Sequence, residues 1–293
     1  GPTCLKTRGP STNGQAGYLA RTEGAIRVPI CNAVYDTPHR ERFFIVPETL
    51  TPPRRSAVEK RLIALGANLV ERDGWRQAEY FTSAQAEAEA VRNGAGLFDL
   101  SPLTKLDIRA SNPAAVWPSI FPGVDAPAES GSPEGDRIGR AALCGRPVIY
   151  ARLNPESFLL TAPPGFGPDM EAAVREATSG AGVGATNVTS GLSVFELAGP
   201  SAAPILRKLT AVAPPAEDHR AVQAQVAGAH AVIFRVDGDA EAGGPAVPAL
   251  RLHVTRDVGL YVWEVLEDAG GEFGIIPYGI EARARLFRNV FPG

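Results

Sequence analysis

Cysteine, histidine and acidic side chains are the groups most able to do chemistry, and their placement narrows what this chain can hold. Cys4, Cys31 and Cys144 are odd in number and far apart. That speaks against a disulfide framework and against a CxxC metal site. His39, His219, His230 and His253 are scattered, so no metal site is expected. Gly180-Ala181-Gly182-Val183-Gly184 lacks the GxGxxG spacing, follows an expected helix and reads as a linker. No P-loop, GxSxG elbow or HExxH occurs. Among the acids, Asp169 follows a Pro-Pro-Gly-Phe-Gly-Pro turn and reads as a helix N-cap. Glu241 lies in a Gly/Ala/Pro loop, where a glutamate is ordinarily solvated. Trp75 and Tyr80 could flank a flat ligand, although large aromatics more often belong to a core.

The elements that must position these residues are legible in part. Residues 1–53 are rich in Gly, Pro, Thr and Arg and read as an irregular extension, with a short strand at Arg42–Val46. Helices are expected over Arg54–Leu65, Ala84–Asn93 and Asp169–Ala177. Another is expected to open with Pro200 at its first position. Over Asp257–Ala269, Val258, Tyr261, Val262, Val265, Leu266 and Ala269 recur at helical spacing, with Gly270-Gly271 to end the element. Strands are expected at Leu103–Ile108, Ser157–Ala162, Leu192–Ala198, Ala229–Val236 and Ala249–Val254, and residues 118–135 read as loop. Strands and helices mix without regular βα alternation, which indicates an α+β fold.

The chain has 293 residues, room for two packed cores, with 44% hydrophobic and 21% charged residues. A net charge of −3 without a long basic run gives no reason to expect a nucleic-acid partner. No apolar run approaches bilayer length and no signal peptide opens the chain, so no membrane contact and a reducing cytoplasm are expected. Met170 is the only methionine and the chain opens Gly1-Pro2, as a proteolytically trimmed fragment would.

Several segments, taken in order, resemble one family. Leu65-Gly66-Ala67, Asp73-Gly74-Trp75 and Tyr80-Phe81 are similar to its opening. Ala90-Val91-Arg92 and Gly96-Leu97-Phe98-Asp99-Leu100-Ser101 resemble its AVR…GLFDVS stretch. Ser193–Pro200 resembles its strand ending in Gly-Pro, and Gly274–Ala282 the end of its folate domain. The family is the glycine-cleavage T-protein (aminomethyltransferase) family, and the resemblance leans toward the folate domains of sarcosine- and dimethylglycine-oxidising enzymes. It covers residues 54–293. It implies a folate-binding first domain formed by 54–109 plus 186–293, interrupted by a ferredoxin-like insert at 110–185. The family's C-terminal β-barrel has no counterpart here.

The same resemblance implies tetrahydrofolate as cofactor. A reduced pterin presents adjacent N–H donors, which one carboxylate can meet in bidentate fashion. A second acid is needed to take a proton or stabilise charge at the reacting nitrogens. Aligned on the family pattern, Phe158–Ala162 leads without a gap to Asp169, which falls on the catalytic aspartate. Val226-Ala227-Gly228 leads to Arg235 and then Glu241, which falls on the pterin-gripping glutamate. Trp75 and Tyr80 complete the expected ligand contacts. The chain also departs from the pattern. Ala162 replaces an asparagine, Ala240 a glycine, and Gly145-Arg146-Pro147-Val148 stands for the longer GGxxDD stretch. Two functions follow as expectations. One is transfer of a methyl or methylene group from a small N-methylated amine to tetrahydrofolate. The other is a non-catalytic folate-binding module, or a subunit working with a partner in an amine-oxidising complex.

Overall fold

The structure is a computed structural model that describes residues 52–124, 136–240 and 245–288, together with the backbone of three short strands nearer the start. The chain divides into two compact units, 1–52 and 53–293. In the first, β1 (Arg21–Thr22), β2 (Ala25–Val28) and β3 (Phe44–Pro47) pair antiparallel in that order. The strand expected at Arg42–Val46 thus begins two residues later.

The second unit opens with α1 (Glu59–Ala64), shorter than the helix expected from Arg54. A hairpin follows, β4 (Asn68–Arg72) and β5 (Trp75–Tyr80). Its two-residue turn is Asp73-Gly74, with φ of 53° and 71°. Two successive positive φ values are what a tight hairpin turn demands, and Asp-Gly is the pair that tolerates them. Helix α2 (Ala84–Asn93) has the expected bounds and is capped by Ser83, whose side chain accepts from the Ala86 amide.

One 11-stranded sheet carries the rest, in two layers. The first half contains β7 (Thr104–Ala110), β8 (Asp136–Leu143), β9 (Arg146–Asn154), β10 (Ser157–Ala162) and β11 (Val183–Asn187), ordered β11-β7-β10-β9-β8. Helices α3 (Pro113–Ile120) and α4 (Gly167–Ala177) connect β7 to β8 and β10 to β11. With β8 set aside as an added edge strand, the order is the 4-1-3-2 of a ferredoxin-like split βαβ. Its first and last strands in sequence, β7 and β11, begin before residue 110 and continue past residue 185.

The second half is ordered β13 (Arg220–Val226), β14 (Ala229–Arg235), β15 (Ala249–Thr255), β12 (Leu192–Ala198), β6 (Gly96–Asp99) and β16 (Ile276–Pro277). Two residue pairs between β8 and β13 join the halves. Helices α5 (Ala202–Arg207), α6 (Gly259–Gly270) and α7 (Ile280–Leu286) complete the unit. Among the described residues no closed barrel forms, and no helix is long and apolar enough to cross a membrane.

One apolar core lies under α3 and α4, built on Trp117, Tyr150, Phe158 and Met170. A second lies under α5 and α6, around Phe195, Ile205, Leu252 and Trp263. A third, with Leu159, Ile149, Phe234 and Phe98, fills the space between the facing halves of the sheet. Strands β10 and β12 are therefore covered on both faces, which is why their sequences read as continuous apolar runs rather than alternating ones.

Three sequence expectations are corrected. Residues 113–120, partly inside the expected loop, form α3. Asn112 accepts from the Ala115 amide, Pro113 takes the first position, and Val116, Trp117 and Ile120 bury one face. Pro200 does not open a helix: Gly199, at φ 105°, turns the chain first, and α5 starts at Ala202. Helix α6 begins at Gly259, two residues later than expected, after a 3-10 turn over Arg256–Val258.

Gly96 is where β6 passes closest to its cover. A β-carbon there would press on Val91 Cγ2 and lie 2.7 Å from Tyr278 Cδ1. Gly96→Ala is expected to cost about 1–3 kcal/mol of stability through overpacking, read as a lower urea midpoint. An unchanged midpoint would show that Tyr278 has room to retreat.

Candidate functional site

The residues that converge on one cavity come from four places. Strand β6 ends in Phe98 and Asp99 and runs on through Leu100, Pro102 and Leu103. The β4–β5 hairpin presents Arg72, Asp73 and Gln77 from its tip. The turn after β10 contributes Pro163 and Pro164, and α7 with the residues after it contributes Ile280, Arg283, Phe287 and Arg288. The space they enclose is about 400 Å³, within the range of small-molecule sites.

Beneath this cavity lies a buried ion cluster. Register places Glu196 of β12 opposite Arg251 of β15 on one side and Phe98 of β6 on the other. Its Oε1 accepts from Arg283 Nε at 2.8 Å and from the Tyr278 hydroxyl at 2.9 Å. Its Oε2 accepts from Arg251 Nε at 2.9 Å and from Arg283 NH2 at 3.1 Å. Burial alone would raise this carboxyl. The charges of Arg283 and Arg251, with hydrogen bonds from Arg283 and Tyr278, outweigh burial and hold it below its ordinary value. One carboxylate thus faces two guanidinium groups, and the cluster keeps a positive excess toward the cavity. Arg283 is the member of the cluster that lines the cavity. It lies 5.6 Å from the centre of the Phe98 ring and 5.0 Å from that of Phe287.

Asp99 is the partly buried acid of the cavity wall. Its Oδ1 accepts from the Ser101 amide at 3.0 Å. Burial raises its pKa, against hydrogen bonds from Ser101 and Ser56 and the nearby charge of Lys105. Lys105 is fully buried, and its Nζ donates to the carbonyls of Ser101 at 2.7 Å and Leu192 at 2.8 Å. Burial pulls its pKa down to about 7, against the attraction of Asp99. Burial thus disfavours the charged form of Asp99 in the lining and of Lys105 behind it.

The residues expected from sequence fare differently. Asp169 is exposed on the first turn of α4 and is not among the residues lining the cavity. It is not the helix cap either: the helix begins two residues earlier, with Phe166 as N-cap and no side-chain cap. Trp75 is buried in the hairpin with Arg54 over its ring, a core position rather than a ligand contact. Tyr80, at the end of β5, is partly buried and also lies outside the lining. The guanidinium of Arg235 is spent on structure: it pairs with Asp237 through Nε at 2.9 Å and NH2 at 3.0 Å and donates to the carbonyls of Pro215 and Ala216. Glu241 lies outside the described residues. Asp99, Glu196 and Arg283 were missed as site residues, although Asp99 and Glu196 lie inside stretches that carry the resemblance. The Asp73-Gly74 pair was an available signal for the hairpin. Among the described residues no cluster of metal-ligating side chains occurs.

Removing the Glu196 charge tests the cluster. Glu196→Gln leaves two buried arginines without their carboxylate, and breaking such a pair costs roughly 3–5 kcal/mol. The folded-state pKa is depressed, so the carboxylate's contribution is present above the ordinary carboxyl range and is lost as pH falls through the folded value. In denaturant titrations the gap between the two proteins should be full at pH 7 and narrow in acid. A gap independent of pH would remove the charge from the explanation.

Residues 58–288, from α1 to the end of α7, match the family described as GCVT N-terminal domain. An aminomethyltransferase of Moorella thermoacetica is 29% identical over 232 residues, which cover 76% of this chain and 60% of the relative. One of Bacillus subtilis is 26% identical over 230 residues, covering 75% and 60%. The chain therefore spans about 60% of the length of these relatives. The crystal structure of glycine cleavage system aminomethyltransferase T from Bartonella henselae superposes with a TM-score of 0.65 at 19% identity, over 80% of this chain and 61% of that one, a likeness of fold. With its family match running unbroken through every element that walls the cavity, this chain belongs to the GCVT N-terminal domain family.

Proposed function

We propose that the cavity binds tetrahydrofolate and that the chain transfers a methyl or methylene group to it from a small N-methylated amine. The observation that carries this reading is the cavity wall itself. Phe98 and Phe287 flank the Arg283 guanidinium, and Asp99 stands next to Phe98. A flat ring with an edge of N–H donors suits such a wall. Bound tetrahydrofolate would supply the nucleophilic nitrogen that takes up the one-carbon unit. Phe98, Phe287 and Arg283 would hold its ring, and Asp99, raised by burial, would accept the proton released there. Arg72 and Arg288, also in the lining, would meet the carboxylates of the glutamate tail. Asp99 thus takes the role that sequence gave to Asp169.

Glu241 keeps its place in the proposal as the acid at the pterin edge. The chain that leads to it is rooted at the cavity. The Asp239 amide donates to the Leu286 carbonyl, and the Asp239 carboxylate accepts from the Arg288 amide. Supply of the one-carbon unit by a partner subunit that oxidises amines belongs to the same reading, as does a cytoplasmic setting. Binding without turnover is the second reading, and the exposed position of Asp169 favours it.

Calorimetric titration with tetrahydrofolate and its 5-methyl and 5-formyl forms decides whether the cavity binds folate. Saturable heats support it, and their absence refutes it. Glu241→Gln should weaken binding roughly ten- to a hundred-fold; an unchanged dissociation constant removes Glu241 from the site. Asp99→Asn should lower transfer from N-methylated amines roughly a hundred-fold while affinity falls less. Folate binding with no transfer by the wild type would leave the second reading.

A further inference from the structure

The walls of the cavity come from parts of the chain that lie far apart in sequence, and one side chain bonds to two of them. Glu87 sits in the first turn of α2 and is 1% exposed. Its Oε1 accepts from the Phe81 and Thr82 amides, both at 2.7 Å, where the chain leaves the root of the β4–β5 hairpin. Its Oε2 accepts from the Gly279 amide at 2.8 Å, where the chain enters α7. The hairpin lends the cavity Arg72, Asp73 and Gln77, and α7 lends it Ile280, Arg283 and Ala284.

The two walls meet backbone to backbone at this point. A β-carbon on Gly279 would press on the Glu79 carbonyl oxygen, so the strand leaving the hairpin and the segment entering α7 leave no room for a side chain between them. Tyr278 and Arg283 anchor the α7 side to the sheet through Glu196, so the hairpin is the wall that Glu87 has to place. Near its tip the hairpin is tied to Arg54, whose amide donates to the Gly74 carbonyl at 2.8 Å and whose carbonyl accepts from the Arg76 amide at 2.9 Å. That tie runs to a segment outside the lining and not to α7. Three amide donors converge on Glu87, and a carboxylate satisfies them because both of its oxygens accept. Its charge strengthens each bond. Glutamine cannot do the same: whichever way its amide turns, an NH₂ group faces an N–H at one of the two walls.

We propose that Glu87 is a positioning residue of this cavity: it sets how far the hairpin wall stands from α7, and with it the width offered to a flat ligand. That ligand is the folate of the reading above, on which the last clause rests. The spacing itself is a property of the protein alone and can be measured without any ligand.

Double electron–electron resonance reads the spacing. In the full chain with Cys4, Cys31 and Cys144 replaced by serine, nitroxide labels go on Glu71→Cys of β4 and Glu281→Cys of α7, both exposed and outside the lining. With Glu87 in place the labels should give one narrow distance distribution. Glu87→Gln should broaden it toward longer distances. Hydrogen exchange at one wall, the Gly279 amide or the Phe81 and Thr82 amides, should then quicken roughly ten- to a hundred-fold. Glu87→Asp, one methylene shorter, cannot reach both walls and should widen the spacing too. A folded variant that has lost stability but keeps the wild-type distribution would overturn the proposal and leave Glu87 a structural group. A wild-type Gly279 amide without protection would do the same, and that measurement needs no variant to fold. Where the wild type binds tetrahydrofolate, Glu87→Gln should weaken binding roughly tenfold, and an unchanged affinity at a widened spacing counts against the proposal. No folate binding by the wild type refutes the folate reading instead, and the labels still decide the role of Glu87.

Discussion

A carboxylate with no access to water cannot stay charged unless the protein supplies what the solvent would have given it. Glu196 is such a group, and much of the second unit is arranged around that requirement. Arg251 must come from β15, Arg283 from α7 and Tyr278 from the segment between β16 and α7. The register β6-β12-β15 and the docking of α7 are therefore fixed together: a slip of one residue in β12 would turn Glu196 to the opposite face and leave the arginines facing apolar side chains. The cavity inherits this. Its cation, Arg283, is held by Glu196, and its rings, Phe98 and Phe287, both lie close to that cation.

Burial also governs a neighbouring pair of charged groups. Lys105 sits inside the protein with two carbonyls as acceptors and Asp99 as its nearest opposite charge. Burial disfavours the charged form of both; Asp99 is held back mainly by hydrogen bonds from Ser101 and Ser56, and Lys105 by the charge of Asp99.

Local rules recovered some elements and missed others for definable reasons. Helix α2 was legible because Ala/Glu propensity and a serine cap agree, and β10 and β12 because both are apolar throughout. The β4–β5 hairpin was not, since its strands NLVER and WRQAEY carry much polar surface and only Asp73-Gly74 marks the turn. Helix α3 hid behind its prolines. The site was harder. Asp169 kept the family spacing in sequence, but a helix that begins at Gly167 leaves it facing solvent. Arg235 kept its position and lost its freedom to Asp237. Conversely, Asp99 lay inside a quoted motif, yet its burial beside Lys105 depends on folding that spacing cannot report.

Glu87 has a wider reach than its place in a short helix suggests. Its Oε1 accepts from the Phe81 and Thr82 amides and its Oε2 from the Gly279 amide, 192 residues further along. During synthesis the hairpin and α2 emerge early, while Gly279 and α7 are still to be made. Until they arrive, this carboxylate lacks its long-range partner and the cavity lacks its far wall. The wall of this cavity can therefore be completed only after α7 has emerged, and no chain that stops short of α7 can close it.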